Sequence, residues 1–258
     1  MHKDHYAPGE PCWIDLGTDV AKATGFYGPL FGWEFVDAGP DAGGYHMAMH
    51  EGNVVAGLGP QMNPGPPAWN VYFCTHDVER SCELVRANGG QVLVDAQPVM
   101  EAGQMAVCMD PSGAAFSLWQ PGQTKGLDEV DSAGTFCWAE LITADLDAAA
   151  DFYGEVFGWG SEDADTDDDM EYVEFQLGVT SIAGMMPRPD GMPAEVPNYW
   201  GLYFAVDDTD ESVAKVASLG GATIVGPMDV SVGRFATCTD PQGGVFSVIA
   251  MGGFEEDE

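Results

Sequence analysis

The chain has 258 residues, 45% hydrophobic and 11% aromatic, enough for one or two domains with a sizeable core. Its 8 Lys and Arg stand against 42 Asp and Glu, a formal net charge of -34. Such a surface repels phosphate backbones and anionic lipid, so neither nucleic acid nor membrane is an expected partner.

No apolar run is long enough to span a bilayer, and the first residues, Met1 to Tyr6, lack the apolar segment of a signal peptide. A cytoplasmic location is the expectation. The six cysteines contain no CxxC pair and sit mostly on strand patterns, which predicts buried free thiols.

Residues 1–10 are a polar leader. Cys12 to Leu16 form a short strand pattern. Asp19 is placed to cap a helix with Val20, Ala23, Tyr27 and Leu30 on its apolar face, and Gly32 closes it. Tyr45–Met49 and Val54–Leu58 flank the turn Glu51-Gly52-Asn53 as a hairpin. After a Pro/Gly loop, Trp69–Cys74 is the next strand. Asp77 then caps a second helix, which Gly89-Gly90 ends. Val92–Val94, Met105–Cys108 and Ala115–Trp119 are further strands, the last two joined by the turn Asp110-Pro111-Ser112-Gly113.

The same order then repeats. Phe26-Tyr27-Gly28-Pro29-Leu30-Phe31-Gly32-Trp33 returns as Phe152-Tyr153-Gly154-Glu155-Val156-Phe157-Gly158-Trp159. Trp69–Phe73 returns as Trp200–Phe204, and Asp110-Pro111-Ser112-Gly113 as Asp240-Pro241-Gln242-Gly243. The chain divides into a leader (1–10), a first module (11–120), a Gly-rich charged linker (121–134), a second module (135–252) and an acidic tail (253–258). Each module itself has the order β-α-β-β-β twice over, the mark of an older duplication inside the newer one.

In both modules, a strand, an Asp-capped helix, Phe-Tyr with Phe-Gly-Trp, a hairpin, and Asp-Pro-x-Gly before the last strand resemble the vicinal oxygen chelate superfamily. That group includes glyoxalase, bleomycin-resistance protein and extradiol dioxygenases, and the chain is most similar to its two-module actinobacterial members. The resemblance implies an α+β fold. Tandem βαβββ modules would form a U-shaped, cleft-enclosing mixed sheet flanked by helices. It also implies three ligand positions per module for a metal enzyme, which fall here on Trp13 and Trp138, on Asn70 and Gly201, and on Ser117 and Ser247. Indole does not coordinate, glycine has no side chain, and hydroxyl or amide groups bind weakly without carboxylate or imidazole partners. No metal and no other cofactor is therefore expected.

Strand alternation, set in register by the resemblance, gives a cleft lining of Trp13, Tyr45, Met47, Met49, Asn70, Tyr72, Ser117 and Trp119 in module one. In module two it gives Trp138, Tyr172, Glu174, Tyr203 and Ser247, with Gln104 and Arg234 completing the set. The same residue types also fill ordinary cores. An aromatic, Met-rich lining suits a flat, largely apolar ligand.

Asp15 and Glu140 hold equivalent strand positions next to these tryptophans. A carboxylate desolvated beside indole suits general acid/base work, and one bonded to backbone N–H groups is structural; both readings stand. Arg234 is read either as an anion partner in the cleft or as half of a surface ion pair. His46, His50 and His76 are assigned structural or solvent roles. The run Asp163–Glu171 matches some calcium-loop spacing but lacks the glycine at position six, and is expected to be a solvated loop.

The first expectation for function is metal-independent binding of a planar aromatic or apolar small molecule, as in antibiotic or natural-product sequestration. The alternative is a cofactor-free natural-product tailoring enzyme. It would use Asp15 and Glu140 for cyclisation, hydroxylation or ring opening. A metal-dependent lyase or dioxygenase is the third. Two modules in one chain complete the paired architecture, so a monomer or homodimer is expected.

Overall fold

The computed structural model describes residues 1–62, 65–164, 171–193 and 195–252. Module one runs β1 (Pro11–Thr18), α1 (Val20–Phe31), β2 (Glu34–Asp37), β3 (His46–His50), β4 (Asn53–Pro60), β5 (Ala68–Cys74), α2 (Val78–Ala87), β6 (Gln91–Val99), β7 (Gly103–Met109) and β8 (Ala115–Pro121). Module two repeats it with β9 (Phe136–Thr143), α3 (Leu146–Phe157), β10 (Gly160–Asp163), β11 (Val173–Leu177), β12 (Thr180–Pro187), β13 (Tyr199–Ala205), α4 (Thr209–Ser218), β14 (Ala222–Val230), β15 (Gly233–Thr239) and β16 (Val245–Met251).

Each module builds one eight-stranded mixed sheet, in the orders β2-β3-β4-β1-β5-β8-β7-β6 and β10-β11-β12-β9-β13-β16-β15-β14. The two βαβββ halves of a module meet at the antiparallel pairs β1–β5 and β9–β13. The expected α+β architecture of tandem modules is present. The short edge strands β2 and β10 escape the periodicity reading because they have four residues each and are almost wholly exposed.

Asp77, Asp145 and Asp208 cap their helices, each side chain accepting the N–H three residues on. Asp19 departs from expectation: it occupies the cap position without a side-chain cap bond, and its carboxylate pairs instead with Lys22 at 3.0 Å. Gly32 closes α1 with φ 76°, the left-handed conformation that glycine adopts without Cβ strain.

The repeated aromatic motif holds the two modules together. Tyr27 on α1 donates to Asp240 of module two at 3.0 Å, and Tyr153 on α3 donates to Asp110 of module one at 3.0 Å. Both hydroxyls also accept an indole N–H from the motif's own module, Trp69 at 3.2 Å and Trp200 at 2.9 Å. Rings continue the contact: Phe31 stacks on Phe204 at 4.9 Å, and Phe157 lies 5.2 Å from Phe73. Each first helix is therefore wedged between its own module's sheet and the other's. The sheets meet through their helix-bearing faces, and the opposite faces form two separate clefts.

Leader and linker are built into this frame. Gly9 N–H bonds Cys74 O at 2.8 Å, and Gly134 N–H bonds the equivalent Ala205 O at 2.7 Å, so the leader's end repeats the linker's end. All six cysteines are free, and all but Cys137 are buried. Within the acidic run, residues 165–170 lie outside the described residues, as does the tail from 253.

Candidate functional site: two carboxylate–tyrosine clusters

In β1, Ile14 and Leu16 are fully buried against the helices, which turns Trp13 and Asp15 to the cleft. Cross-strand register then decides their neighbours. Asp15 lies between Asn70 of β5 and Gly57 of β4, and Trp13 lies opposite Tyr72. Asn70 Nδ2 donates to Asp15 Oδ1 at 2.9 Å. Tyr72 and Tyr45 hydroxyls both donate to Oδ2, at 2.8 and 3.1 Å. Trp13 Nε1 donates to the Tyr45 hydroxyl at 3.0 Å.

Module two reproduces this with one omission. Glu140 lies between Gly201 of β13 and Gly184 of β12. Tyr203 donates to Glu140 Oε1 at 2.9 Å, Tyr172 lies close enough to feel the same carboxylate's charge, and Trp138 Nε1 donates to Tyr172 at 2.8 Å. Glycine replaces the asparagine, so no amide reaches Glu140. Glu140 is only 7% exposed.

Two glycines missed in the sequence place the outer tyrosines. A Cβ built on Gly57 would overlap the Tyr45 hydroxyl, and one built on Gly184 would overlap that of Tyr172. The signal was present as Ala56-Gly57-Leu58 and Ala183-Gly184-Met185 in the two return strands. It has no meaning until a tyrosine is known to cross above it.

Burial pushes the carboxyl groups of Asp15 and Glu140 above their ordinary values, against the lowering effect of the hydrogen bonds they accept. Burial and the neighbouring carboxylate push the phenols of Tyr45, Tyr72, Tyr172 and Tyr203 up as well. The phenols thus stay protonated and donate. In each cluster the carboxyl is the group able to exchange a proton.

Other lining residues fall as follows. Ser117 lies beside Tyr72 in the sheet and Ser247 beside Tyr203, and Ser247 is hydrogen-bonded to Thr237 at 2.9 Å. Met47 faces the cleft with Trp13, bordering a cavity of about 260 Å³. Met49 is half-buried on the same face, beyond that cavity. Glu174 is on the cleft face but bonded to Ser181. Tyr199, not anticipated, joins module two's cleft face opposite Ile142 and feels the Glu140 charge.

Two expectations are corrected. Arg234 shares the helix-side face of Ala236 and Cys238, where it pairs with Asp210 at 2.7 and 3.2 Å and Asp229 at 2.9 Å; it is the surface ion pair, not a cleft group. Gln104 is opposite Gln120, whose side chain caps Val78 at the start of α2, so it too lies on the helix side. Met105, opposite Trp119, takes the cleft position instead.

The clefts are covered unequally. The linker crosses module one: Leu127 N–H bonds Cys12 O at 2.9 Å, Asp128 N–H bonds Val54 O at 2.8 Å, and Trp119 Nε1 donates to Thr124 O at 3.0 Å. Tyr6 of the leader seals the seam by donating to Leu127 O at 3.0 Å. Among the described residues no segment crosses module two in this way, and Trp138, Tyr172 and Tyr203 are partly exposed.

The positions implied for a family-type metal carry indoles at Trp13 and Trp138, an amide or no side chain at Asn70 and Gly201, and hydroxyls at Ser117 and Ser247. These do not fit a divalent cation. Among the described residues no group of three or more His, Cys, Asp or Glu is arranged to hold a metal ion elsewhere. His46 bonds Gly44 O, and His50 lies 3.5 Å from Glu129. No helix among the described residues is long and apolar enough to cross a membrane.

The sequence profile of the Glyoxalase/Bleomycin resistance protein/Dioxygenase superfamily matches residues 16–118 and 135–248. CFP32 of Mycobacterium tuberculosis, named as a candidate glyoxylase, is 41% identical over 96% of this chain and 97% of its own. The anthracycline biosynthesis protein DnrV of Streptomyces peucetius is 35% identical over 95% of this chain and 94% of its own. The Mn(II)-bound glyoxalase from Novosphingobium aromaticivorans superposes with a TM-score of 0.65 at 17% identity, over 94% of this chain and 82% of that one. The 2,3-dioxygenase LapB from Pseudomonas sp. KL28 does so at 0.65 and 12% identity, over 98% and 97%.

Proposed function

The chain belongs to the Glyoxalase/Bleomycin resistance protein/Dioxygenase superfamily, and we propose that it binds a planar aromatic or apolar small molecule in its clefts without a metal. The observation that carries this reading is the buried carboxylate in each cleft, ringed by tryptophan and tyrosine and held by phenol donors. Rings give area and stacking surface, and one convergent polar group orients the ligand. Module two is the entry side in this reading, because Trp138 and Tyr203 are partly exposed where their counterparts Trp13 and Tyr72 are buried.

Tryptophan fluorescence and calorimetry against a panel of planar aromatic compounds test the reading. A saturable quench with one-to-one or two-to-one stoichiometry, diminished in Trp138→Phe, is expected. A protein that binds no member of the panel refutes it.

A second reading has its own support. A carboxyl raised by burial, with a phenol bonded to it, is suited to taking and returning a proton. The name of the 35% identical relative points to natural-product biosynthesis. On this reading Glu140 and Asp15 are the acid/base groups of a tailoring step. Chelator-insensitive turnover that falls in Glu140→Gln or Asp15→Asn is the expected outcome; unchanged turnover in both variants removes these roles.

A further inference from the structure

The two clusters differ in an amide donor. In module one, Asp15 receives two phenol hydroxyls and the Asn70 amide, so the chain itself supplies a nitrogen donor at 2.9 Å. In module two, the equivalent position is Gly201, and among the described residues the Glu140 carboxylate accepts from a phenol, Tyr203, and from no amide. The space is real: a Cβ built on Gly201 would meet nothing closer than Ile142 at 3.6 Å, Glu140 O at 3.7 Å and Tyr199 at 3.7 Å. A side chain could therefore start from this position without steric conflict, on the same sheet face as the buried Glu140 carboxylate. Its Oε1 accepts from Tyr203, and a buried carboxylate has acceptor capacity for further donors.

The surroundings select what fills the place. Trp138, Tyr172, Tyr199 and Tyr203 line the same face, and Phe235 lies 6.0 Å from the Tyr203 ring. Aromatic faces attract cations, most strongly where water is excluded. The net charge of -34 draws cations towards the molecule and repels anions.

We propose that the module-two cleft recognises a protonated amine on an aromatic ligand, with the ammonium seated beside Gly201 and donating to Glu140 as the Asn70 amide does to Asp15. This rests on the cleft being the ligand site and names the polar group of that ligand. Glu140 keeps its own proton more readily when alone, because burial disfavours its charge. A cation arriving there takes over the role of that proton. Module one needs no such group, since Asn70 fills the position and the linker covers the cleft.

The test compares three probes of one shape by fluorescence titration of the full chain: 9-(aminomethyl)anthracene, its N-acetyl derivative, and 9-(hydroxymethyl)anthracene. The amine is expected to bind at least tenfold more tightly than the alcohol. Glu140→Gln should bring amine and alcohol to equal affinity. Gly201→Asn, which installs the module-one donor, should abolish the preference independently, and circular dichroism confirms that each variant is folded. Equal binding of amine and alcohol by the unaltered protein overturns the inference and leaves the planar-ligand reading intact. An N-acetyl probe as tight as the amine also overturns it, since a neutral N–H would then suffice. Failure of all three probes to bind defeats the planar-ligand reading and, with it, the inference.

Discussion

Tyr153→Phe removes one oxygen from the centre of the molecule. That oxygen donates to Asp110 Oδ2 at 3.0 Å and accepts from Trp200 Nε1 at 2.9 Å, and Tyr153 is fully buried. A hydrogen bond to a charged group contributes about 1.5–3 kcal/mol, and a buried donor left unsatisfied costs about 1–3 kcal/mol. Partial relaxation brings the expected loss to about 3 kcal/mol, or a fall in Tm of about 6–12 °C for a chain of this size. The Asp110 turn itself should persist, because Oδ1 still accepts from Ser112 N, Ser112 Oγ and Ala114 N at 2.7–2.9 Å. Tyr27→Phe should cost a similar amount through Asp240 and Trp69. Urea denaturation followed by tryptophan fluorescence and far-UV circular dichroism measures both. Since each tyrosine joins one module's helix to the other module's sheet, a single shared transition should move. A loss below about 0.5 kcal/mol, or separate module transitions of which only one shifts, would refute the argument.

Gly184→Ala should displace the Tyr172 hydroxyl from Glu140 and weaken ligand binding at least tenfold by titration, with little change in far-UV circular dichroism. Glu140→Gln should raise stability at neutral pH. The folded-state value of Glu140 is raised, so its contribution is fully present below the ordinary glutamate value of about 4.3 and is lost as pH rises through the folded value. The variant should therefore show a flatter stability–pH curve across that window in thermal melts. Added salt should raise Tm, because it screens the self-repulsion of a -34 surface; a Tm unchanged between 0.05 and about 1 M NaCl would speak against that repulsion.

The sequence yielded the scaffold because its signals are local and written twice. Asp77 before Val78, Gly32 after Phe31 and the strand of alternating residues around Ile14 each act within a few positions. Asp15 and Glu140 were legible as cleft groups for the same reason, by parity next to Ile14 and Leu141. Arg234 was not. Its parity places it with Ala236 on the helix side, but one of only eight cations in an acidic chain suits an anion site as well as the surface ion pair it makes with Asp210 on the preceding helix, α4. Tyr199 went unnoticed because its module-one counterpart is the exposed Ala68, so the repeat offered no hint. The outward reach of the linker also has no local signature: Leu127 and Val130 are isolated apolar residues in a charged stretch, and both are buried.

The partners of the repeated aromatic motif explain how the two clefts were able to diverge. Tyr27, Phe31, Tyr153 and Phe157 all point to the inter-module face, and their partners Asp240, Phe204, Asp110 and Phe73 lie there as well. None contributes to a carboxylate cluster. A substitution in a cleft, such as the one separating Asn70 from Gly201, therefore leaves the interlock untouched. The converse holds too: each first helix is buried in part by the other module's rings, so loss of either module would expose apolar surface on the one that remains. Module one, with its carboxylate saturated and its cleft crossed by the linker, fits the part of the structural partner. Module two, with Gly201 in place of the amide beside a buried carboxylate, carries the cleft proposed to hold the ligand.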